Sequence, residues 1–382
     1  MSEQSIRMGA STATDAARAV DELYEAIKQP SPSLVVFFCS PEYERDALER
    51  RLRERFPGNN VIGCTTAGEI GTKGYVERSL SGFSLGADDF QVAIEHVDGL
   101  AAFHFPDGQA VGRKATARLR EQGVVPSRAN TFGFVLIDGL SIREESVASA
   151  LYSSLDDIPI FGGSAGDALY FRRTHVYYEG AFHTDSAVFT LISTSRPFVV
   201  FKTQHFVETD EKLVVTAADP ERRVVHELNG DKAAREYASV VGVPFEELGP
   251  EVFAEHPVVL RIGGSNFVRS IQKVNDDESL SFYCAIDEGI VLTLARGEDL
   301  LRNLEQTFDA VQAEVGEPAL TIGCDCVLRS LEIGQRGLRP AVSEVLRRNN
   351  VVGFSTYGEQ YNAMHVNQTF TGVAIGQARR GR

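Results

Sequence analysis

An unbroken apolar run, Leu34-Val35-Val36-Phe37-Phe38-Cys39, is followed by the charged segment EYERDALERRLRERF, in which Leu48, Leu52 and Phe56 recur at helical spacing. A second apolar run, Val61-Ile62, then leads into a turn rich in glycine and hydroxyl residues. The pattern predicts strand, helix, strand, turn. The first strand shows no polar alternation, so both of its faces are expected to be covered, as in a sheet layered by helices.

The order returns twice. Thr131–Ile137 read as a strand, EESVASALYSSL as a helix, and IPIFGGSAGD, residues 158–167, as strand and turn. Farther on, Ala319–Cys324 read as a strand, 337–348 as a helix with Pro340 near its start, and Val351-Val352 as the next strand. The first turn, NNVIGCTTAGE at 59–69, and the last, NNVVGFSTYGE at 349–359, are identical at seven of eleven positions. All three turns end on a glycine and an acid: Gly68-Glu69, Gly166-Asp167 and Gly358-Glu359. A strand-like run follows each, at Leu80–Leu85, Ala187–Ile192 and Thr371–Ile375, so the repeat is a supersecondary unit rather than a linear signature. The turns are expected at strand ends, the first and last facing one another across a pseudo-symmetric centre.

Between the second and third units, RPFVVFKTQHFVETDEKLVVTAAD alternates in patches and predicts antiparallel strands. A short helix is expected in HELNGDKAAREYASVVG, followed by VVLRIGGSN at 258–266. Pro197 and Asp219-Pro220, with the charge around them, put a domain boundary near residues 196–225. The fold class read from this is α/β, with two domains, repeated strand-helix-strand units and mixed sheets.

Length and charge narrow the function. A chain of 382 residues exceeds one ordinary core. A formal charge of −15 repels phosphate backbones, so no nucleic-acid partner is expected, and the basic tail Arg379-Arg380-Gly381-Arg382 reads as a solvated end. The first twenty residues lack the apolar run of a signal peptide and no window approaches a membrane span, so a cytoplasmic protein with no membrane partner is expected. Five cysteines, an odd number without a CxxC pair, agree with reduced thiols.

GCTTAGEI at 63–70, VTAAD and ELNG at 215–219 and 227–230, and GFSTYGEQ with HVNQTF at 353–360 and 365–370 give the chain its resemblance to FIST proteins. The resemblance implies a two-domain sensory fold: an N-terminal helical extension over 1–30, a FIST N-terminal domain over 31–210 and a FIST C-terminal domain over 211–382. It implies a non-enzymatic intracellular signal-transduction sensor that binds a small molecule, such as an amino acid, and reports to a separate signalling protein, a histidine kinase being one candidate. The chain is similar in layout to NosP-type sensors, which implies the alternative of haem binding and nitric oxide sensing. Haem would be held non-covalently here, since no CxxCH is present.

Glycine-rich, hydroxyl-bearing turns after buried strands set backbone N–H groups and side-chain oxygens where a ligand can approach closely. Neither copy is a phosphate loop, because GxxxxGK(S/T) is absent and an acid stands where phosphate would sit. The candidate ligand-binding residues are Gly63, Cys64, Thr65, Thr66, Gly68 and Glu69 in the first turn, Ser164 and Asp167 in the second, and Ser355, Thr356, Gly358 and Glu359 in the third, with Asn367 beyond it. Glu69 and Glu359 suit an ammonium group. Arg261, a lone charge in the apolar run Val258–Ile262, suits a carboxylate. The competing reading is structural: glycines that make tight strand exits, and an arginine that points to solvent.

Eight histidines show no metal-ligand spacing, and no metal site is expected. His365 is the candidate cofactor-binding residue, an axial haem ligand with Phe354, Tyr357, Met364 and Phe370 to cover a macrocycle; His183 and His205 are alternatives. Cys64 motivates a second alternative, a cysteine-dependent enzyme, although its counterparts Gly163 and Phe354 show that the turn needs no thiol. Cys324-Asp325-Cys326 has the wrong spacing for a zinc knuckle.

Overall fold

The computed structural model describes residues 5–262 and 264–378; the basic tail lies outside them. The chain builds one unit three times. The first comprises β1 (Ile6–Ser11), α1 (Ala16–Ile27), β2 (Pro32–Cys39), α2 (Arg45–Arg55), β3 (Val61–Thr65), the hairpin β4 (Glu69–Gly71) and β5 (Gly74–Val76), and β6 (Leu80–Gly86). The second comprises β7 (Phe90–Asp98), α3 (Phe105–Glu121), β8 (Thr131–Ile137), α4 (Glu144–Tyr152), β9 (Ile160–Ser164), the hairpin β10 (Val176–Tyr178) and β11 (Ala181–His183), and β12 (Ser186–Thr194).

The third unit opens with β13 (Phe198–Thr203) and is interrupted by an inserted domain. That domain holds β14 (Phe206–Asp219), β15 (Val224–Leu228), β16 (Asp231–Lys232), α5 (Ala233–Val241), α6 (Pro250–Glu255), β17 (Val258–Ile262), β18 (Ser265–Arg269), β19 (Ile271–Val274), β20 (Leu280–Phe282) and β21 (Val291–Gly297). The unit resumes with α7 (Leu300–Val315), β22 (Pro318–Cys326), α8 (Val327–Gln335), α9 (Arg339–Arg348) and β23 (Val351–Thr356). The hairpin β24 (Glu359–Tyr361) and β25 (Met364–Val366) and then β26 (Phe370–Gly376) complete it.

The three sheets share one strand order: β1-β6-β2-β3, β7-β12-β8-β9 and β13-β26-β22-β23. The last two strands of each are parallel, as their helical crossovers require, and the other pairs are antiparallel. Each sheet is then extended by a hairpin from another unit: β3 by β10 and β11, β9 by β24 and β25, β23 by β4 and β5. This closed three-way exchange covers what would otherwise be an open sheet edge in every unit. It also explains a repeated glycine. A Cβ on Gly63, Gly162 or Gly353 would lie 2.5, 2.2 or 1.8 Å from the carbonyl oxygen of the residue beside it on the parallel strand, Phe37, Val135 or Gly323.

The inner faces of the sheets meet in one apolar core, where Phe38 stacks on Phe354 with centroids 4.6 Å apart and Phe134 stacks on Phe161 at 4.9 Å. Helices cover the outer faces. Asp15 caps α1 by accepting from the Arg18 amide, and the helical spacing of Val20, Leu23 and Ile27 turns one stripe onto β2. The inserted domain has its own core around Leu213, Val225, Tyr237, Phe253 and Leu292.

The expected N-terminal helical extension over 1–30 is corrected: β1 pairs with β6 along its length and α1 packs on the same sheet, so residues 6–27 belong to the first unit. The boundary expected at 210/211 falls within β14.

Candidate functional site

The three turns converge, as their symmetry suggested. The Ala67 amide donates to the Ser355 carbonyl at 2.9 Å, Gly166 to Thr65 at 2.9 Å, and Ser164 to Gly358 at 2.9 Å. The two near-identical turns form the same closed clip. Thr66 Oγ1 and Glu69 Oε1 are hydrogen-bonded, and the amide and hydroxyl of Ser79 donate to Glu69 Oε2 at 3.0 and 2.8 Å. In the second copy, Thr356 bonds to Glu359 Oε1, and Thr369 donates to Oε2 through its amide at 3.3 Å and its hydroxyl at 2.6 Å. Burial pushes Glu69 up to about 7 and Glu359 up to about 8, with the hydroxyl donors opposing the shift. Both acids are therefore engaged in fastening a hairpin back onto its own turn. Asp167 differs, accepting from the amides of Phe171, Arg172 and Arg173 at 2.8 Å each and from the Tyr357 hydroxyl.

Unsatisfied polar groups gather one step beyond the second clip. His365, on β25, is 1% exposed; its Nδ1 lies 3.2 Å from Gln360 Nε2, which also donates to Ser164 Oγ at 3.0 Å. With Nδ1 accepting, the neutral imidazole carries its proton on Nε2, and burial favours that neutral form. His365 Nε2 has no partner, nor does either polar atom of the fully buried Asn367 side chain, nor Gln360 Oε1. His365 Nε2 and Asn367 Nδ2 converge on Gly358: a Cβ there would lie 2.5 and 2.9 Å from them, so only glycine permits both side chains to approach the turn this closely.

Two other bodies close over this cluster. From the inserted domain, Ser270 Oγ donates to Gln368 Oε1 at 3.1 Å, and the Ala254 carbonyl accepts from Gln368 Nε2 at 2.7 Å. Arg269, next to Ser270, is buried; its Nε is unpartnered, no carboxylate among the described residues pairs with it, and its charge opposes protonation of His365. From the second unit, Glu144 and Glu145 open α4 and share Arg223 of the inserted domain, whose Nη2 is 2.6 Å from Glu144 Oε2. A buried cation without a counter-ion, beside an unpartnered N–H and an unpartnered carboxamide, is suited to receive a small anion with further hydrogen-bonding capacity.

Family models cover most of the chain: the FIST N domain model matches residues 33–231 and the FIST C domain model residues 233–362, their junction falling within the inserted domain. The chain belongs to the FIST family. It is also 25% identical over 395 aligned positions to an uncharacterized protein of Methanocaldococcus jannaschii, covering 92% of this chain and 75% of that one. FIST domains are associated with signal-transduction sensing. Among the described residues, no helix is long and apolar enough to cross a membrane, and no group of three or more His, Cys, Asp or Glu could hold a metal ion.

Within this FIST chain the candidates fall into three groups. Ser164, Gly358, His365 and Asn367 come together, with Asp167 reached through Tyr357, whose ring stacks on Phe171. Gly63, Thr65, Thr66, Gly68, Glu69, Ser355, Thr356 and Glu359 form the joints of the hairpin exchange; Thr65 Oγ1 accepts from the His175 amide at 3.1 Å, and Ser355 donates its amide to Gly68 at 2.7 Å. Arg261 and Cys64 are corrected. Arg261 is exposed on β17, because the run it interrupts buries Val258 and Val259 and then emerges into solvent. Cys64 is fully buried in the central core, and burial raises its thiol well above the ordinary value, the reverse of an activated nucleophile.

The residues do not fit haem at the expected ligands. The free nitrogen of His365 is walled by Gly358, His205 has Arg329 on Nδ1 and Glu332 on Nε2, and His183 Nε2 meets the Tyr178 carbonyl. The residues expected to cover the macrocycle are dispersed: Phe354 faces the central core, Phe370 packs beneath α7, and Tyr357 faces the inserted domain. Arg269, Gln360, Glu144 and Glu145 escaped the sequence reading. Only Gln360, within the quoted GFSTYGEQ, carried a local signal; the others acquire meaning through contacts across units.

Proposed function

We propose that this FIST protein is a sensor of a small carboxylate-bearing molecule, an amino acid or similar, bound where β24 and β25 meet α4 and the inserted domain. The observation that carries the reading is the convergence of buried polar atoms without partners: Arg269 Nε, His365 Nε2 and both polar atoms of the Asn367 carboxamide. Arg269 takes the carboxylate-holding role first expected of Arg261, and His365 and Asn367 supply hydrogen bonds that fix orientation. Glu144 and Glu145, close enough to favour a positive charge at His365, supply the acidic side of the site in place of Glu69 and Glu359. In this reading the protein acts without catalysis and passes its state to a separate signalling protein, such as a histidine kinase, consistent with the family's sensory association.

The test is thermal-shift screening of the protein amino acids and small mono- and dicarboxylates against wild type, Arg269→Gln and His365→Phe. A compound that raises the wild-type melting temperature and does so less in both variants supports the site. A shift equally large in Arg269→Gln moves the site elsewhere, and an unresponsive wild type removes this ligand class.

A further inference from the structure

The inserted domain joins the three-unit body through two chain crossings lying side by side. Phe206 pairs with Gly297 where β14 leaves and β21 returns, and the Glu298 amide donates to the His205 carbonyl at 2.7 Å. Beneath these crossings is a buried charged network: Arg329 lies 2.9 Å from Asp325 and contacts His205 Nδ1 at 3.2 Å, while His205 Nε2 bonds Glu332 at 2.9 Å. Two adjacent strands on a braced base are the form of a hinge, since only a few residues need to change their backbone angles.

Away from the crossings, the inserted domain meets the second unit at Arg223 and where the rings of Tyr283 and Phe171 lie 5.9 Å apart. Among the described residues, every ion pair between the inserted domain and the remainder of the protein is made by this one side chain, to Glu144 and to Glu145. Its Nη1 also donates to the Tyr283 carbonyl at 2.6 Å, and the Ala285 amide donates to Glu145 Oε1 at 2.6 Å. Arg223 holds φ at +54°, a left-handed conformation that a branched or bulky side chain adopts at a cost. Glu144 and Arg223 are both buried, so separating them leaves two carboxylates and a guanidinium without partners. Beside Arg223 opens a cavity of about 920 Å³, lined by Ile142, Phe171, Lys273 and Tyr283 among others, between the inserted domain and the loop that precedes α4.

We propose that the inserted domain is a hinged lid, with the crossings at 203–206 and 297–300 as the hinge and the Arg223–Glu144/Glu145 cluster as its latch. Resting on the ligand reading above, this deepens it: the polar cluster of Arg269, His365 and Asn367 is enclosed when the latch is shut, and a ligand gains access by opening beside the cavity. Occupancy then opposes reopening, because a bound anion satisfies groups that the lid and the body contribute jointly. The seating of the inserted domain is thereby the state that a partner reads.

The cysteines report this motion. Cys284 and Cys326 are buried at or next to the lid's contact with the body, whereas Cys64 and Cys324 lie in the central core and Cys39 beneath the first unit's helices. Alkylation with iodoacetamide, mapped by mass spectrometry, is measured in wild type, Arg223→Gln and the double variant Glu144→Gln/Glu145→Gln. Release of a buried ion pair should speed labelling of Cys284 by roughly 100-fold through local opening while Cys39, Cys64 and Cys324 keep their wild-type rates. The Glu-to-Gln pair should behave like Arg223→Gln. Unchanged Cys284 labelling in both variants overturns the latch, and equal acceleration at all five cysteines shows global unfolding and overturns the lid. The measurement needs no ligand, so it stands apart from the carboxylate screen: accelerated Cys284 labelling that millimolar glutamate, aspartate or succinate fails to slow supports the lid and counts against the ligand class.

Discussion

The three exchanged hairpins place Phe182, Tyr75 and His365 at equivalent positions, opposite Tyr177, Ile70 and Gln360. Phe182 is enclosed by the rings of Phe37, Tyr177 and His175. Tyr75 reaches across to Asp325, which Arg329 also holds. His365 occupies the same place and leaves Nε2 without a partner. The same backbone device is therefore used once with an apolar plug, once with a satisfied polar plug and once with an unsatisfied one. A folded chain has no stability reason to keep the third, since an orphaned buried donor costs about 1–3 kcal/mol. The difference separates scaffold from candidate site: the duplicated turn holds the hairpins, and the residues just beyond it set what each hairpin presents.

Substitutions can break this division. Gly353→Ala should have the largest effect, about 3 kcal/mol or more, because its Cβ would meet the Gly323 carbonyl carbon and oxygen at 2.6 and 1.8 Å; a urea midpoint near wild type would contradict the shared close strand approach.

The clips come next, through pH. With folded-state values raised above that of an exposed glutamate, the unfolded chain loses its proton first as pH rises. The stability these two acids contribute is full below about 4.5. It falls as pH rises toward about 8 for Glu359 and about 7 for Glu69, and levels off above those values. Glu359→Gln should remove a penalty on the order of a few kcal/mol at pH 8.5 and flatten the profile, with Glu69→Gln doing less. Urea titrations from pH 4 to 9 that show no change of slope in either variant would assign the acids another role.

Tyr75→Phe strips Asp325 of a buried partner and should cost about 1–3 kcal/mol, whereas His365→Phe removes an unpartnered donor and one of the two hydrogen bonds of Gln360 Nε2, which keeps Ser164, and should cost less, about 1 kcal/mol. Equal losses in the two would erase the distinction between a satisfied and an unsatisfied plug. Arg261→Ala should have the smallest effect, within about 0.5 kcal/mol, with the ligand response kept; loss of that response would return Arg261 to the site.

Much of the scaffold was legible because it is local. Apolar runs such as Leu34–Cys39, helical spacing at Leu48, Leu52 and Phe56, and the twice-written turn each carry their signal within about a dozen residues, and the strands and helices they announced are present. β1 was missed because Ile6-Arg7-Met8-Gly9 alternates too weakly to mark a strand without its partner β6. His365, Asn367, Ser164 and Gly358, read from the turns and the segment after the last one, are candidates that the fold brings together.

The remainder was settled only by tertiary contact. Hairpin exchange joins residues hundreds of positions apart, as in Ile70 opposite Gly353, and a three-residue strand has no pattern that names its partner. Arg261 and Arg269 illustrate the physical limit. Both are arginines near apolar residues on strands of one hairpin, and the sequence marks the first more strongly. Only the seating of the inserted domain against β25 leaves Arg261 in water and buries Arg269 beside His365. Sequence determined the unit, its repetition and the turn that fastens it, since those follow from periodicity and backbone chemistry. Which charges lose their solvent, and so which of them are left without a counter-ion, depends on surfaces that meet only after folding.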